Sequence, residues 1–290
     1  MIKVKFITAI YNNLFGTKFG GRPNRETHYK WSLVSLLRMT NADFICYTSK
    51  DEINELSHFF YIKNEISKEQ LTLKTFDLND KSNFIFLDSL KNDSIRKSDR
   101  CYEIQYNKFY WFLKEDMSYD YYFWIDAGLS YSGLLPDKYL TYCDNNRGYY
   151  DSYFFDNTFL NKLVSKTKDK ITILAKDNIR NFWSKTVPQK YYNKYDNTHH
   201  IIGGLFGGKK ETMNWFTSEF DKNLNKILNE TKQIYSEEQI MSLIYQNNKE
   251  NFITYNFDTW WHNTNGPKGL PIDYFEKNKS FYMCLEDILI

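Results

Sequence analysis

The fold of this chain is decided by the stretch Tyr121-Tyr122-Phe123-Trp124-Ile125-Asp126-Ala127-Gly128-Leu129. Its first five residues are aromatic or β-branched, which is typical of a buried central strand. The run ends at one carboxylate, Asp126, and open α/β sheets place their ligands at the carboxyl ends of their strands. We therefore expect Asp126 to lie in a binding site. Asp and Gly also begin turns, so a plain turn is the alternative interpretation.

A second informative segment is Trp260-Trp261-His262-Asn263-Thr264-Asn265-Gly266-Pro267-Lys268, which offers an imidazole, a glycine and a lysine in one short loop. A metal ion could take oxygen from Asp126 and nitrogen from His262. Gly266 would let the backbone approach a phosphate closely, and Lys268 would supply positive charge. The two segments together predict a site for Mn²⁺ or Mg²⁺ and a diphosphate.

Composition limits the class of protein. A chain of 290 residues can bury a large core. We therefore expect one α/β catalytic domain. Lys and Arg number 38 against 36 Asp and Glu, so there is no strong field to attract nucleic acid, and a small-molecule or carbohydrate partner is favoured.

The four cysteines include no C-x-x-C pair, which is typical of free thiols in a reducing compartment. The N-terminus begins directly as a strand and has no signal-peptide pattern. We therefore expect a cytoplasmic protein. The sequence holds no run of 18 apolar residues, so no transmembrane segment is expected, and peripheral attachment to a membrane stays open.

Strand-like and helix-like patterns alternate along the first 126 residues. Strands are predicted at 2–10, 43–47, 84–87 and up to Asp126, and helices at 24–39, 51–60 and 98–116. This order favours a mostly parallel central sheet flanked by helices. The pattern is weaker between 134 and 200, where a region that shapes an acceptor pocket could be inserted.

Regular patterning resumes at His199-His200-Ile201-Ile202-Gly203-Gly204-Leu205-Phe206-Gly207-Gly208, before a predicted helix over 209–230. Glycine pairs are unfavourable inside a strand, so we expect either a bend or a ligand close to the backbone at Gly203 and Gly204. His199 and His200 point to opposite faces of a strand and are not expected to bind one metal ion.

Ser236 and the two residues after it, Glu237 and Glu238, mark the start of another helix. A serine caps a helix, and carboxylates in the first turn are favoured by the helix dipole, so a purely structural role is possible. The apolar residues Ile234, Met241 and Tyr245 define a stripe that includes Glu238 and not Glu237. We therefore expect Glu238 to face the cleft.

The order of these motifs resembles glycosyltransferases of the GT-A fold. Trp124-Ile125-Asp126-Ala127-Gly128 is similar to the strand that carries the D-x-D element, here reduced to one Asp. The His262–Lys268 segment is similar to the H-x-x-G-x-x-K element of glycogenin-like transferases, with altered spacing. Including Phe6–Asn12 and Tyr106-Asn107-Lys108-Phe109, the layout resembles the HtrL/YibB family, which is associated with lipopolysaccharide core and surface glycan synthesis.

The resemblance implies a metal-dependent hexosyltransferase that uses a nucleotide-diphosphate sugar, most simply a UDP-sugar, and a glycan acceptor. It implies a nucleotide-binding half over 1–133 and an acceptor-binding half over 134–290. The residues implied in binding the donor nucleotide are Thr8, Ala9, Ile10, Tyr11, Lys108, Gly128, Gly266 and Lys268. The other implied site residues are Gly203 and Gly204 at the donor sugar or acceptor, Asp126 and His262 at the metal, and Glu238, Glu237 and Asp126 in catalysis.

Two other classes stay open. A sugar-phosphate nucleotidyltransferase shares the nucleotide-binding sheet, and the segment 14–22 could be its glycine-rich phosphate loop. A non-catalytic protein that binds glycans or nucleotide sugars would bind UDP without turnover.

Overall fold

The computed structural model describes residues 2–11, 25–39, 41–78, 101–116, 118–127, 140–142, 148–150, 157–177, 187–193 and 199–256. The predicted strand at 84–87 and the segment His262–Lys268 lie outside these ranges, and so does Gly128.

The described strands form one seven-stranded sheet and a small two-stranded sheet. The order in the large sheet is β3-β2-β1-β4-β8-β7-β9. The strands are β1 Val4–Ala9, β2 Asp43–Thr48, β3 Leu71–Thr75, β4 Tyr121–Ile125, β5 Leu140–Tyr142, β6 Gly148–Tyr150, β7 Ile171–Asp177, β8 His199–Lys209 and β9 Phe252–Asn256. Only β8 runs against its neighbours β4 and β7 among the described pairings of the large sheet, so the predicted mostly parallel sheet is confirmed.

Helices cover both faces of the sheet. They are α1 Arg25–Met39, α2 Ile53–Ser57, α3 Cys101–Lys114, α4 Asn157–Thr167, α5 Lys210–Thr231 and α6 Glu237–Asn247. Short 3₁₀ turns lie at Gln189–Tyr191 and Lys249–Asn251. Among the described helices none combines the length and apolarity needed to cross a membrane.

Alternate residues of the central strands β1 and β4 divide between two hydrophobic cores, as the period of two in a strand requires. Phe6 and Phe123 belong to the core that includes residues of α1, α2 and α4. Ile7 and Trp124 belong to the other core, built with residues of α3, α5 and α6. Because both faces are covered, β1 and β4 are buried along most of their length, which explains their continuous apolar sequence.

Several elements differ from the sequence prediction, which did not assign β5, β6, β7, β9 or α4. The helix predicted over 51–60 is α only at Ile53–Ser57 and continues as a π-helix over His58–Lys63. The edge strand β3 was not predicted. It pairs in parallel with β2, and only Leu71 of its five residues is buried.

Candidate active site

Residues of four elements, β4, β8, α3 and α6, meet at the carboxyl end of β4. The Asp126 amide donates to Gly204 O at 2.8 Å, which extends the pairing of β4 and β8 by one step beyond Ile125 and Leu205. Opposite β7, the register of β8 jumps from Phe206 to Ile202. The intervening residues, including both glycines, therefore form an irregular segment beside Asp126, which accounts for glycines inside a strand.

Lys108 of α3 lies at the centre of this region. Its Nζ is 3.0 Å from Gly203 O, 3.0 Å from Glu237 Oε1 and 3.1 Å from Asp126 Oδ1. An ammonium has three hydrogens to donate, and here each has an acceptor. A direct contact between Lys108 and a diphosphate, as the sequence predicted, therefore requires that one of these three contacts be exchanged.

The charge of Lys108 is stabilised by its carboxylate neighbours. Burial alone would lower the pKa of the ammonium, but Asp126 and Glu237 outweigh it, and the pKa is raised above its ordinary value. Nζ also lies 5.1 Å from the centre of the Trp124 ring, whose electron-rich face favours a cation. Lys108 is therefore a permanent positive charge.

Asp126 faces outward from the same cluster. Its Oδ1 accepts from Trp124 Nε1 at 2.7 Å as well as from Lys108. The side chain is 46% exposed, and both of these contacts use Oδ1. One oxygen thus fixes the side chain while the other is open to a ligand.

Glu237 is the buried carboxylate of the site, with 3% of its side chain exposed. Oε1 is bonded to Lys108, and Oε2 is buried without a hydrogen-bond partner among the described residues. Burial raises the pKa of Glu237 to about 7, while the Lys108 charge opposes this rise and the Glu238 charge adds to it. Glu237 can therefore gain or lose a proton near neutral pH.

Both glutamates are placed by the start of α6. Ser236 Oγ accepts from the Gln239 amide, and the Gln239 side chain accepts from the Ser236 amide, so the predicted cap is confirmed as a capping box. Glu238 Oε1 accepts from the Gly203 amide at 3.0 Å. The Gly203 peptide groups are thus bonded by Glu238 on one side and by Lys108 on the other.

The expectation that Glu238 is the more buried glutamate was wrong. Glu237 is buried, whereas Glu238 is half-buried. The predicted stripe used Ile234, which lies before the cap Ser236 and is not part of the helix. In addition, α6 is buried on nearly all sides, so an apolar stripe cannot separate an inner from an outer face.

The residues predicted at the nucleobase lie at the carboxyl end of β1. Thr8, Ala9, Ile10 and Tyr11 are all buried, and the Tyr11 hydroxyl donates to Phe76 O at 3.0 Å. Thr8 Oγ1 is buried without a hydrogen-bond partner in the described chain. Contact with a nucleobase stays a prediction for this segment.

The fit to a divalent ion is partial. No three His, Cys, Asp or Glu side chains within the described ranges are grouped so that they could hold a metal. Asp126 Oδ2 is the kind of hard oxygen ligand that Mg²⁺ and Mn²⁺ take, and such ions need few protein ligands when phosphates supply the rest. The other predicted ligand, His262, lies outside the described residues, as do Gly266 and Lys268.

Solved structures establish the fold class. The chain is similar to mouse xyloside xylosyltransferase 1 in its apo form, with a TM-score of 0.53 and 9% identity over 97% of this chain and 94% of that one. It is also similar to an active-site mutant of LgtC, with a TM-score of 0.51 and 11% identity over 95% of this chain and 83% of that one. For the galactosyltransferase LgtC in complex with donor and acceptor sugar analogues, the TM-score is 0.50 and the identity 10%, over 92% and 81%.

These likenesses confirm a GT-A-like fold and, at such low identity, show the fold alone. No protein-family model matches the chain, and no curated protein sequence matches it significantly.

Proposed function

We propose that this protein is a metal-dependent glycosyltransferase that moves a sugar from a nucleotide-diphosphate sugar, most simply a UDP-sugar, to a glycan acceptor. The observation that carries the proposal is the pair of carboxylates, Asp126 and Glu237, held by one ammonium at the carboxyl end of a central strand. This is the edge at which open α/β sheets bind nucleotides. The GT-A-like fold supports the same reading.

Asp126 would hold the metal through Oδ2, with His262 as the second protein ligand. When bound, the ion supplies positive charge to the departing diphosphate. Lys268 would add charge to the same diphosphate, and Gly128 and Gly266 would let the backbone approach it closely. The side chain of Asp126 can serve this role because Trp124 and Lys108 fix its orientation through Oδ1.

Glu237 would act on the sugar rather than on the phosphates. Its unpartnered Oε2 offers an acceptor for a hydroxyl, and its pKa of about 7 lets it hold or release a proton near neutral pH. Glu237 would be the base if the reaction inverts the anomeric centre and an electrostatic partner if it retains it. Glu238 holds Gly203, whose backbone with Gly204 would line the donor sugar or acceptor pocket.

The finer assignments rest on the sequence alone. We propose from it that the protein is a hexosyltransferase resembling the HtrL/YibB family. It would be cytoplasmic and would take part in surface polysaccharide or lipopolysaccharide-type glycan synthesis.

The test begins with a thermal-shift panel of nucleotide sugars with and without Mn²⁺, since a ligand that binds the folded state raises the melting temperature. The donor so identified is then incubated with glycan acceptors, and sugar transfer is measured by mass spectrometry. Release of pyrophosphate from a nucleoside triphosphate and a sugar phosphate would instead assign a nucleotidyltransferase. Binding of UDP without any transfer or donor hydrolysis would assign a non-catalytic binder.

A further inference from the structure

The position of Lys108 between two carboxylates bears on how the site treats cations. Asp126 and Glu237 come from different elements, yet each places an oxygen within 3.1 Å of the same nitrogen. A divalent ion attracted to two facing carboxylates would settle between them, because their combined field is strongest there. In this protein that position is held by the ammonium.

The second observation is the orphaned oxygen of Glu237. Oε2 is buried without a hydrogen-bond partner in the described chain, although a buried carboxylate oxygen is unfavourable unless something meets it. Removing the ammonium would leave both oxygens of Glu237 beside those of Asp126 with no positive charge among them. When both carboxylates are ionised, they would then form a stronger cation site than the protein has now.

We propose that Lys108 is a specificity-determining residue which acts as a built-in cation. It excludes divalent ions from the space between Asp126 and Glu237 and leaves only the outer oxygen of Asp126 to them. One carboxylate oxygen beside an ammonium binds Mn²⁺ weakly, so the ion associates firmly only when a diphosphate supplies further oxygens. The inference concerns cation binding, and only its last step rests on the proposed function.

The chain offers a matched control for the loss of a buried lysine. Lys210 is 5% exposed, and its ammonium donates to Phe112 O and Glu115 O, which are backbone carbonyls. A Lys210→Met change thus removes a buried ammonium without uncovering a pair of carboxylates that it bridges.

The experiment is a Mn²⁺ titration followed by electron paramagnetic resonance of the free ion, with no nucleotide present. We expect Lys108→Met to bind Mn²⁺ at least about tenfold more tightly than the wild type, a difference that such titrations resolve. Lys108→Arg, which keeps the charge, and Lys210→Met should bind it as the wild type does. Unchanged or weaker binding by folded Lys108→Met overturns the proposal.

A measurement on the wild-type protein tests the proposal even if Lys108→Met does not fold. The ¹⁵N-labelled lysine side chains are observed by NMR while Mg²⁺ is added alone. The Lys108 ammonium signal should persist, with at most a small shift from Mg²⁺ at the outer oxygen of Asp126, and loss of the signal through displacement of the ammonium overturns the proposal. A final titration of the wild type with Mn²⁺ and UDP tests the step that rests on the proposed function. If Mn²⁺ and UDP do not strengthen each other's binding, that step is overturned, and the exclusion of divalent ions by Lys108 is unaffected.

Discussion

Gly203 and Glu237 approach so closely that no side chain fits between them. A Cβ placed on Gly203 would lie 2.8 Å from Glu237 Oε1 and 3.2 Å from Lys108 Nζ. The backbone of Gly203 also accepts from Lys108 and donates to Glu238. The absence of a side chain at this position is therefore a condition for the carboxylate arrangement.

Gly203→Ala should displace the ion pair between Lys108 and Glu237. We expect a loss of about 1–3 kcal/mol in the free energy of unfolding, as for other overpacked sites. The donor sugar should bind more weakly while UDP itself binds nearly as before, because the glycine lies on the sugar side of the proposed site. Calorimetry with UDP and with the identified UDP-sugar separates the two effects.

Gly208→Ala is the control on the same strand. Its Cβ would lie 2.7 Å from Lys170 O, so a stability loss is expected there too. Binding of the UDP-sugar should not change. Equal losses of sugar binding in both variants would show that strain in β8, and not the ion pair, is responsible.

Asp126→Asn should abolish the contribution of Mn²⁺ to UDP binding and leave the fold intact. The amide oxygen can still accept from Trp124 and Lys108, and the side chain is half exposed, so the stability change should stay within about 1 kcal/mol. The lost charge removes the attraction for the ion. Calorimetric UDP titrations with and without Mn²⁺ measure this, and an unchanged Mn²⁺ effect would contradict the metal role.

Glu237→Gln should change how stability depends on pH. The pKa of Glu237 is raised by burial to about 7 from an ordinary value of 4.5, so the folded state binds more protons than the unfolded state between these values. Stability of the wild type should therefore fall as pH rises through this window. Each pKa unit is worth about 1.4 kcal/mol, so the glutamine variant should gain a few kcal/mol relative to the wild type between pH 4 and pH 8.

Urea denaturation of the wild type and Glu237→Gln across this range makes the comparison. Glu238→Gln is the neighbouring control, since Glu238 is only half-buried and bonded to the Gly203 amide. If the difference in the free energy of unfolding between the wild type and Glu237→Gln does not vary with pH, the pKa of Glu237 is not raised.

Ser236→Ala removes one half of the capping box at the start of α6. The free energy of unfolding should drop by about 1 kcal/mol, because the Gln239 amide loses its acceptor. Since the cap sets where the helix begins, turnover should fall through misplacement of Glu237. Ser236→Asn, which restores a capping side chain, should recover both properties, and failure to recover turnover would separate the cap from the site.

His262→Ala and Lys268→Ala should each weaken UDP binding in the presence of Mn²⁺. Losing a charge-assisted contact costs roughly 1.5 to 3 kcal/mol, or about one to two decades in affinity. Calorimetry on the two variants checks this. Wild-type affinity in both would make the loop structural, with Trp260 and Trp261 as its packing residues.

The sequence predicts β1, β2 and β4, whose buried residues leave a strong pattern, and misses β7, although its residues 171–175 are buried as well. The five apolar residues of β4 and the placement of Asp126 at its end are confirmed. The edge strand β3 was missed because only Leu71 is buried, although the alternation in Leu71-Thr72-Leu73-Lys74-Thr75 is a weak strand signal. The π-helix that continues α2 over His58–Lys63 has no comparable signal in the local sequence.

The sequence predicted which residues form the site but not which of them contact each other. Asp126, Lys108, Gly203 and the two glutamates were all singled out, and they do lie together. Their partners could not be predicted, because Lys108 and Glu237 are 129 positions apart and nothing local encodes a contact at that distance. The roles of these residues stay predictions.

The order of the strands links this site to the completion of folding. Lys108 is 95 positions from Gly203, which lies in the antiparallel strand β8, and α6 follows later still. Contacts so distant along the chain form late, because long loops must close first. In a chain that has assembled only its first four strands, Lys108 can meet Asp126 but neither Gly203 nor Glu237. Ligand binding at this cluster would therefore report the docking of the C-terminal half, and it can be used to time that step.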